Sequence, residues 1–204
     1  MHPAAYIMLG LCVLVLIPNY PFGVSFFYGA LGVFFICQSA RENHDVTFTL
    51  TLPVAKRDAV TGRFLLATTY ELLSLLLAAG MTVVHNALIH TQNGAGMEAN
   101  LVLLGEGFFF YGVFNLLFFP LHYNDVSRVG VPFLISSGAM FILIALDVVL
   151  SYALPLWRDV LDTPDPEHLR VKLLFLLLCV GLYVAMTFIA RKVSQKRFVK
   201  LDIR

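Results

Sequence analysis

The feature that most constrains this chain is a succession of apolar runs, most of them long enough to cross a lipid bilayer. The hydrocarbon layer is ~30 Å thick and takes ~20 helical residues to span, and inside it every backbone N–H and C=O must be paired within its own segment. Long apolar runs therefore read as transmembrane helices, and six occur, at residues 4–17, 22–39, 62–88, 101–121, 131–154 and 171–190. Composition agrees: 59% of residues are apolar, 13% are charged and the mean hydropathy is +0.81, against about 45–50% and about 25% in a soluble domain. The expected fold is all-α, one six-helix membrane domain over residues 1–204 without linker, tandem repeat or low-complexity segment. The first run is short by the ~20-residue standard and ends at Pro18 and Pro21. It either crosses obliquely or forms a shallow hairpin with the second. It lacks the basic n-region and cleavage site of a signal peptide and reads as a retained span.

Positive charge sets the orientation. Arg41, Lys56, Arg57 and Arg63 lie between the second and third runs, Arg128 between the fourth and fifth, and Arg191, Lys192, Lys196, Arg197, Lys200 and Arg204 in the tail, residues 191–204. On the other side are Arg158, Arg170 and Lys172. Lys and Arg flanking spans are held in the cytoplasm, so the larger group marks that face and both termini are expected there. The outer loops are then "HTQNGAGMEAN", a Gly/Asn turn, and "PLWRDVLDTPDPEH". In the latter Asp159, Asp162, Asp165 and Glu167 are acidic, Pro164 and Pro166 oppose a long helix, and Trp157 has the place of an interfacial anchor. The net charge of +1, with basic residues at the edges of apolar runs, carries no footprint of nucleic-acid binding. Cys12, Cys37 and Cys179 fall inside apolar runs, as small hydrophobic residues do.

Against this background "RENHDVTFTLTLPVAKRDAVTGR", residues 41–63, is polar. Arg41, Glu42 and Asp45 fall within about one helical turn, which suits an interfacial helix end. "VTFTLTL" alternates Val46, Phe48, Leu50 and Leu52 with Thr47, Thr49 and Thr51, a period that in water reads as a half-buried strand. Pro53 disfavours helical geometry at Leu52 but suits a first turn, so a helix is expected to begin near Pro53 and run into the third span. That places Lys56, Arg57 and Asp58 at the membrane surface. Charges there ordinarily anchor a helix end to lipid phosphates and set topology. A topology signal needs only Lys and Arg; Glu42, Asp45 and Asp58 beside them, with Phe48 and two leucines nearby, have the composition of a surface that meets a protein partner.

This stretch resembles the segment after the second span of bacterial ABC-2 type transporter permeases. In that family an acidic residue precedes a Leu-Pro-Val motif, here Leu52-Pro53-Val54, and a Lys/Arg-Asp pair, here Arg57-Asp58, leads into the third span. The resemblance extends to the six-span layout and the basic tail "RKVSQKRFVKLDIR", and so covers most of the chain. Within the family it is similar to small six-span subunits of antibiotic and peptide exporters, including bacitracin-resistance and phenol-soluble-modulin export permeases. The resemblance implies a multi-pass subunit of a bacterial cytoplasmic-membrane exporter for a peptide, antibiotic or other amphipathic molecule. Two such subunits, identical or siblings, would enclose the path among membrane lipid. The loop 41–61, with residues 46–52 as a short helix where their period suggests an extended segment, would dock into a separate cytoplasmic ATPase through Arg41, Glu42, Asn43, Asp45, Leu52, Pro53, Lys56, Arg57 and Asp58. One departure is that family members carry an interfacial helix before the first span, whereas this chain is apolar from Pro3. Either the helix is lost or the natural start lies upstream, and a lateral gate built on it is not implied here.

The chain has no G-x-x-x-x-G-K-[ST] stretch to cradle nucleotide phosphates, so ATP and Mg²⁺ are expected on the partner and no cofactor, metal or catalytic residue on this chain. H-E-x-x-H and G-x-S-x-G are also absent, and His85 and His90 are expected to face water. Ionisable groups within the spans are the remaining candidates, because each costs at least ~2.5 kcal/mol at mid-membrane. Glu71 lies near the midplane, with Thr68, Thr69, Tyr70 and Ser74 as bonding partners; Asp147 lies in the outer half of the fifth run and Glu106 near the outer mouth of the fourth. Glu71, Asn115 and Asp147 are assigned to the transport path or to interhelical polar bonding, Asn115 chiefly to the latter. The phenylalanines around Asn115 are expected to face lipid rather than to line a greasy substrate route, and Gly105, Gly107, Gly112 and the "SSGA" run at 136–139 to mark packing faces. Two other readings are an intramembrane protease or lipid-modifying enzyme, and a non-transporting scaffold or immunity subunit that uses the same loop. The enzyme needs catalytic groups at one depth, and Glu71 and Asp147 lie at different depths.

Overall fold

The computed structural model describes residues 3–89, 93 and 95–201. The described residues form helices and connecting turns, with no strand among them. The α-helices are α1 (Pro3–Gly10), α2 (Gly23–Glu42), α3 (Asp45–Thr51), α4 (Lys56–Leu88), α5 (Leu101–His122), α6 (Gly130–Ala153) and α7 (Leu169–Lys200). A 3₁₀ segment, Leu11–Leu16, continues α1, and a π turn, Trp157–Leu161, precedes α7. Helices α2, α4, α5, α6 and α7 are each long and apolar enough to cross a membrane. These are the second to sixth expected spans. The first apolar run forms the shorter segment Pro3–Leu16, whose α and 3₁₀ rises cover roughly 24 Å, less than the ~30 Å of a hydrocarbon layer.

Local chemistry fixes the helix ends. Asn100 caps α5, its Oδ1 accepting from Val102 N at 2.9 Å and Leu103 N at 3.2 Å. Helix α2 stops where the Asn43 amide donates back to Ser39 O at 2.8 Å and His44 turns left-handed at φ 52°. The 33 residues of α4 and 32 of α7 reach roughly 50 Å, well beyond the hydrocarbon layer. Their polar surplus is at one end of the bundle, where Gln195 of α7 donates to Thr61 Oγ1 of α4 at 2.9 Å.

Helix α5 is the centre, with α2, α4, α6 and α7 all packed on it. Its Phe110, Phe114, Phe118 and Phe119 are buried, Phe114 and Phe118 stacking with centroids 5.0 Å apart. Most of these rings therefore point inward rather than to lipid, because a helix apolar on every face and surrounded by neighbours has no lipid side. Lipid is as apolar as this interior, so close dispersion contact and a few polar bonds hold the helices together. Close approach is where glycine is required: a Cβ on Gly107 would lie 2.6 Å from the Phe26 ring and 2.7 Å from Leu75 Cδ2. Cys12, Cys37 and Cys179 are free and buried.

The N-terminal segment runs beside α4 in the same direction. Tyr70 OH donates to Ala5 O at 2.7 Å, Cys12 Sγ lies 3.4 Å from Ser74 O, and His85 Nδ1 lies 2.8 Å from Val15 O. His85 is thus buried rather than water-facing; the carbonyls ending a 3₁₀ segment lack partners in their own helix, and the imidazole meets one of them. His90 lies outside the described residues.

Candidate functional site

The polar stretch folds around a helix, α3, although its alternation reads as a strand. No neighbouring strand is available to pair with it, whereas a helix satisfies its own N–H and C=O groups. Phe48 N donates to His44 O at 3.0 Å, Thr51 Oγ1 to Phe48 O at 2.7 Å, and Asp45 sits in the first turn, where its charge suits the helix dipole. Leu52 ends the helix in extended geometry (φ −84°, ψ 156°), as a residue before proline does. The following helix starts at Lys56, three residues after Pro53.

Helical spacing re-sorts the side chains. Asp45, Val46, Thr49 and Leu50 turn toward the bundle, and Thr47, Phe48 and Thr51 turn out. Asp45 forms an ion pair with Arg63 of α4, and Val46 and Leu50 pack on the core. Ala59, Val60, Tyr123 and Phe198 complete the seat, leaving a gap of about 40 Å³. Outward, Phe48 is 64% exposed, Leu52 44% and Val54 42%, amid exposed Arg41, Glu42, Asn43, Pro53, Arg57 and Asp58. Five of the nine residues assigned to the partner have side chains engaged within the chain: Arg41, Glu42, which accepts from Gln38 at 2.7 Å, Asn43 with Ser39, Asp45 with Arg63, and Lys56, whose Nζ donates to Leu201 O at 2.7 Å. Arg41 Nη1 donates to Ser127 O at 3.3 Å, and a further tie runs from Arg197 to Pro120 O. Arg63 was read from the sequence only as a topology charge. Its signal is its place in the first turn of a long apolar run, where a cation needs a partner.

A second polar cluster lies inside the bundle. Glu71 of α4 is fully buried, and its Oε2 accepts from Asn115 Nδ2 of α5 at 3.0 Å and from Tyr183 OH of α7 at 2.8 Å. Asn115 Nδ2 also donates to Thr187 Oγ1 at 3.2 Å, so three helices meet at one carboxyl. Of the four α4 neighbours expected to bond Glu71, Thr69 is exposed and three are occupied elsewhere: Thr68 with Phe64 O, Tyr70 with Ala5 O, and Ser74 with the Tyr111 hydroxyl at 2.8 Å. A hydroxyl on a helix reaches its own backbone or a facing helix more readily than a side chain beside it.

Asp147 stands apart from this cluster. From α6 it comes beside Glu106 of α5. They line a cleft of about 220 Å³ whose walls come from α5, α6 and α7. Their meeting was legible in principle, because each lies about one and a half turns inside the end of its helix away from α3. Among the described residues no group of three or more His, Cys, Asp or Glu side chains is placed to hold a metal ion.

Residues 1–195 match the family described as ABC-2 family transporter protein. The chain belongs to that family. No curated protein and no solved structure matches it. It is a multi-pass membrane permease subunit, of a family whose members generally work with a cytoplasmic ATPase.

At the end of the permease away from α3 the two connecting loops are bonded to each other. Asn100 Nδ2 donates to Leu161 O at 2.8 Å and Thr163 O at 3.0 Å, and Leu101 N donates to Asp165 Oδ2 at 3.1 Å. Glu98 N donates to Asp162 Oδ1 at 2.6 Å. The acidic loop is therefore structural as well as solvated, and Asp165 meets an otherwise unpaired N–H at the start of α5. Burial, reinforced by Glu98 and Asp147, pushes the Asp162 carboxyl from 3.8 up to about 7. The folded chain binds this proton more tightly than the unfolded one, so the contribution is full below the ordinary carboxyl value and lost as pH rises through about 7. Thermal melts of the purified permease should show a component that falls from pH ~4 to ~7. Asp162→Asn keeps the acceptor for Glu98 N and should remove that component; an unaltered pH profile in this variant would show that Asp162 is not its source.

Proposed function

We propose that this permease is the membrane half of an exporter in a bacterial cytoplasmic membrane, driven by a separate ATPase that docks on residues 41–61. The observation that carries the reading is the outer face of α3 and its flanks: apolar Phe48, Leu52 and Val54 amid charges of both signs from Glu42, Arg57 and Asp58. An apolar centre with a mixed polar rim suits a protein partner, whereas a lipid-anchoring surface needs only positive charge.

In this reading the end bearing α3 and residues 191–201 faces the cytoplasm. The N-terminal segment, parallel to α4, starts from that side and completes a six-segment arrangement with both termini cytoplasmic. The broadly exposed faces of α6 and α7 are shared between lipid and a second permease subunit, identical or sibling. ATP and Mg²⁺ belong to the partner. The cargo is a peptide, antibiotic or other amphipathic molecule, and Glu71, Asn115 and Asp147 are the polar groups of the membrane interior that it or the moving helices meet. The Asp45–Arg63 pair links α3 to α4, and Glu71 links α4 to α5 and α7, which gives movement of the loop a physical route into the bundle. The ATPase shifts the two access states only if its contacts differ between them, so α3 moves with the ATPase rather than merely touching it.

Glu42→Lys and Arg57→Glu place repulsive charge in this surface. A loss of about 1.4 kcal/mol of docking energy is tenfold in affinity, so copurification of the ATPase from native membranes should fall roughly tenfold or more with insertion intact. Wild-type copurification and cargo-stimulated ATP hydrolysis in both variants would remove the docking assignment. Copurification without any cargo-stimulated hydrolysis in the unaltered protein would favour the non-transporting subunit instead.

A further inference from the structure

The cleft holding Glu106 and Asp147 has a composition that docking of an ATPase on residues 41–61 does not explain. Helices α6 and α7 both pack on α5 but hardly touch one another, leaving a slot floored by α5. Its walls are apolar, with Phe109 and Phe110 on the floor and the exposed Leu146 and Leu178 at the lips. At one end two carboxyls converge. Glu106 is only 5% exposed, yet its Oε2 has no hydrogen-bond partner, and neither has Asp147 Oδ1. Asp162 adds a third carboxyl nearby. Of the two basic residues in the first turn of α7, Lys172 is committed to Thr163 O and Pro164 O and to Asp165, and Arg170 is exposed. Cys179 is the remaining titratable group on the α7 wall.

Burying a carboxyl oxygen without a partner is costly, and more so when it is ionised. A cation with N–H donors answers both the charge and the open acceptors. The carboxyls lie roughly 8 Å inside the end of the bundle away from α3, while Phe110, Leu143 and Leu182 line the slot further in. This is how an amphiphilic amine sits in a bilayer leaflet, head shallow and tail deep. We propose that this cleft is a binding site for a hydrophobic organic cation, an ammonium head held by Glu106 and Asp147 with its apolar body between α6 and α7.

The volume of about 220 Å³ fits an amine of simple alkyl or arylalkyl size, reached laterally from the lipid. The site needs only this chain, so its test is independent of the ATPase.

The chain has a single tryptophan, and Trp157 lines the cleft, which supplies an internal reporter. The purified full-length permease in zwitterionic lipid nanodiscs is titrated with n-octylamine, and in parallel with n-octanol, the uncharged analogue of the same length. The expected result is a saturable change in Trp157 emission with the amine that the alcohol does not reproduce. Glu106→Gln and Asp147→Asn should each weaken the amine response at least tenfold. Leu178→Phe, which narrows the slot and leaves both carboxyls in place, should weaken it as well, and this variant decides the point if the carboxyl variants fail to fold. Equal responses to amine and alcohol would overturn the proposal in the unaltered protein alone. So would a non-saturating amine response, or full-strength binding in folded carboxyl variants. Closure of the cleft by a second copy, seen as no emission change with either compound, would also overturn it.

Discussion

Arg63→Glu is expected to release α3 from the bundle and, with it, the ATPase, although Arg63 lies behind the docking surface. The Asp45–Arg63 pair is only partly exposed, with side-chain exposures of 43% and 17%, so it is less screened than a surface pair. Reversal sets two carboxylates against each other where α3 meets α4. The other anchors of α3 are modest: Val46 and Leu50 on the core. Its seven residues are far short of the ~12–15 at which an isolated helix becomes even marginally stable, so undocking means unfolding. Limited proteolysis between residues 43 and 55 should accelerate roughly tenfold or more, and ATPase copurification should fall with it. Asp45→Arg in the same chain restores opposite charges and should recover both. Wild-type protection in Arg63→Glu, or no recovery in the double variant, would dismiss the pair as the clasp of α3.

Glu71→Ala should be the most destabilising change at a single polar residue inside the bundle. It removes the acceptor shared by Asn115 and Tyr183 and leaves a void between three helices. Interhelical hydrogen bonds in membranes average ~0.6 kcal/mol, and the stranded donors and the void add to that, for a total of roughly 2–3 kcal/mol. The melting temperature in detergent should drop by roughly 5–10 °C. Glu71→Gln keeps a carbonyl acceptor of the same length and should stay within about 1 kcal/mol of the parent. The pair of variants also separates structure from transport. If Glu71→Gln is stable but loses cargo-stimulated ATP turnover, Glu71 belongs to the path; normal turnover assigns it to helix bonding alone. Equal stability of Glu71→Ala and the parent would remove the bonding role.

The spans were legible because the bilayer imposes one rule on any segment that crosses it: it must be helical and apolar for about 20 residues. The sequence therefore located α2, α4, α5, α6 and α7 within a few residues, apart from the polar extensions of α4 and α7. The same rule gave no information where it does not apply. "VTFTLTL" lies outside the long spans, and its period of two pointed to a strand that had no partner to pair with. The inward turn of most α5 rings was hidden for a related reason. An apolar residue facing lipid and one facing a neighbouring helix obey the same hydropathy, so only the arrangement of helices distinguishes them.

The candidate sites divide in the same way. Glu71 and Asn115 stood out because polar groups in apolar runs are costly, but that cost says only that a partner exists. Tyr183, 112 positions away from Glu71, is not signalled by any local spacing, and the matching depth of Glu106 and Asp147 does not say that α5 and α6 turn those faces together. By itself the sequence determined a helical membrane protein with one polar stretch at residues 41–63, because hydropathy and charge act residue by residue, and the motif in that stretch supplied the resemblance to ABC-2 permeases. Only the tertiary structure decided that α3 is a helix clasped by Arg63, that one buried carboxyl joins three helices, and that two others converge on an open cleft. Those are matters of which side chains lie within bonding distance, and in an apolar solvent that distance is set by packing rather than by pattern.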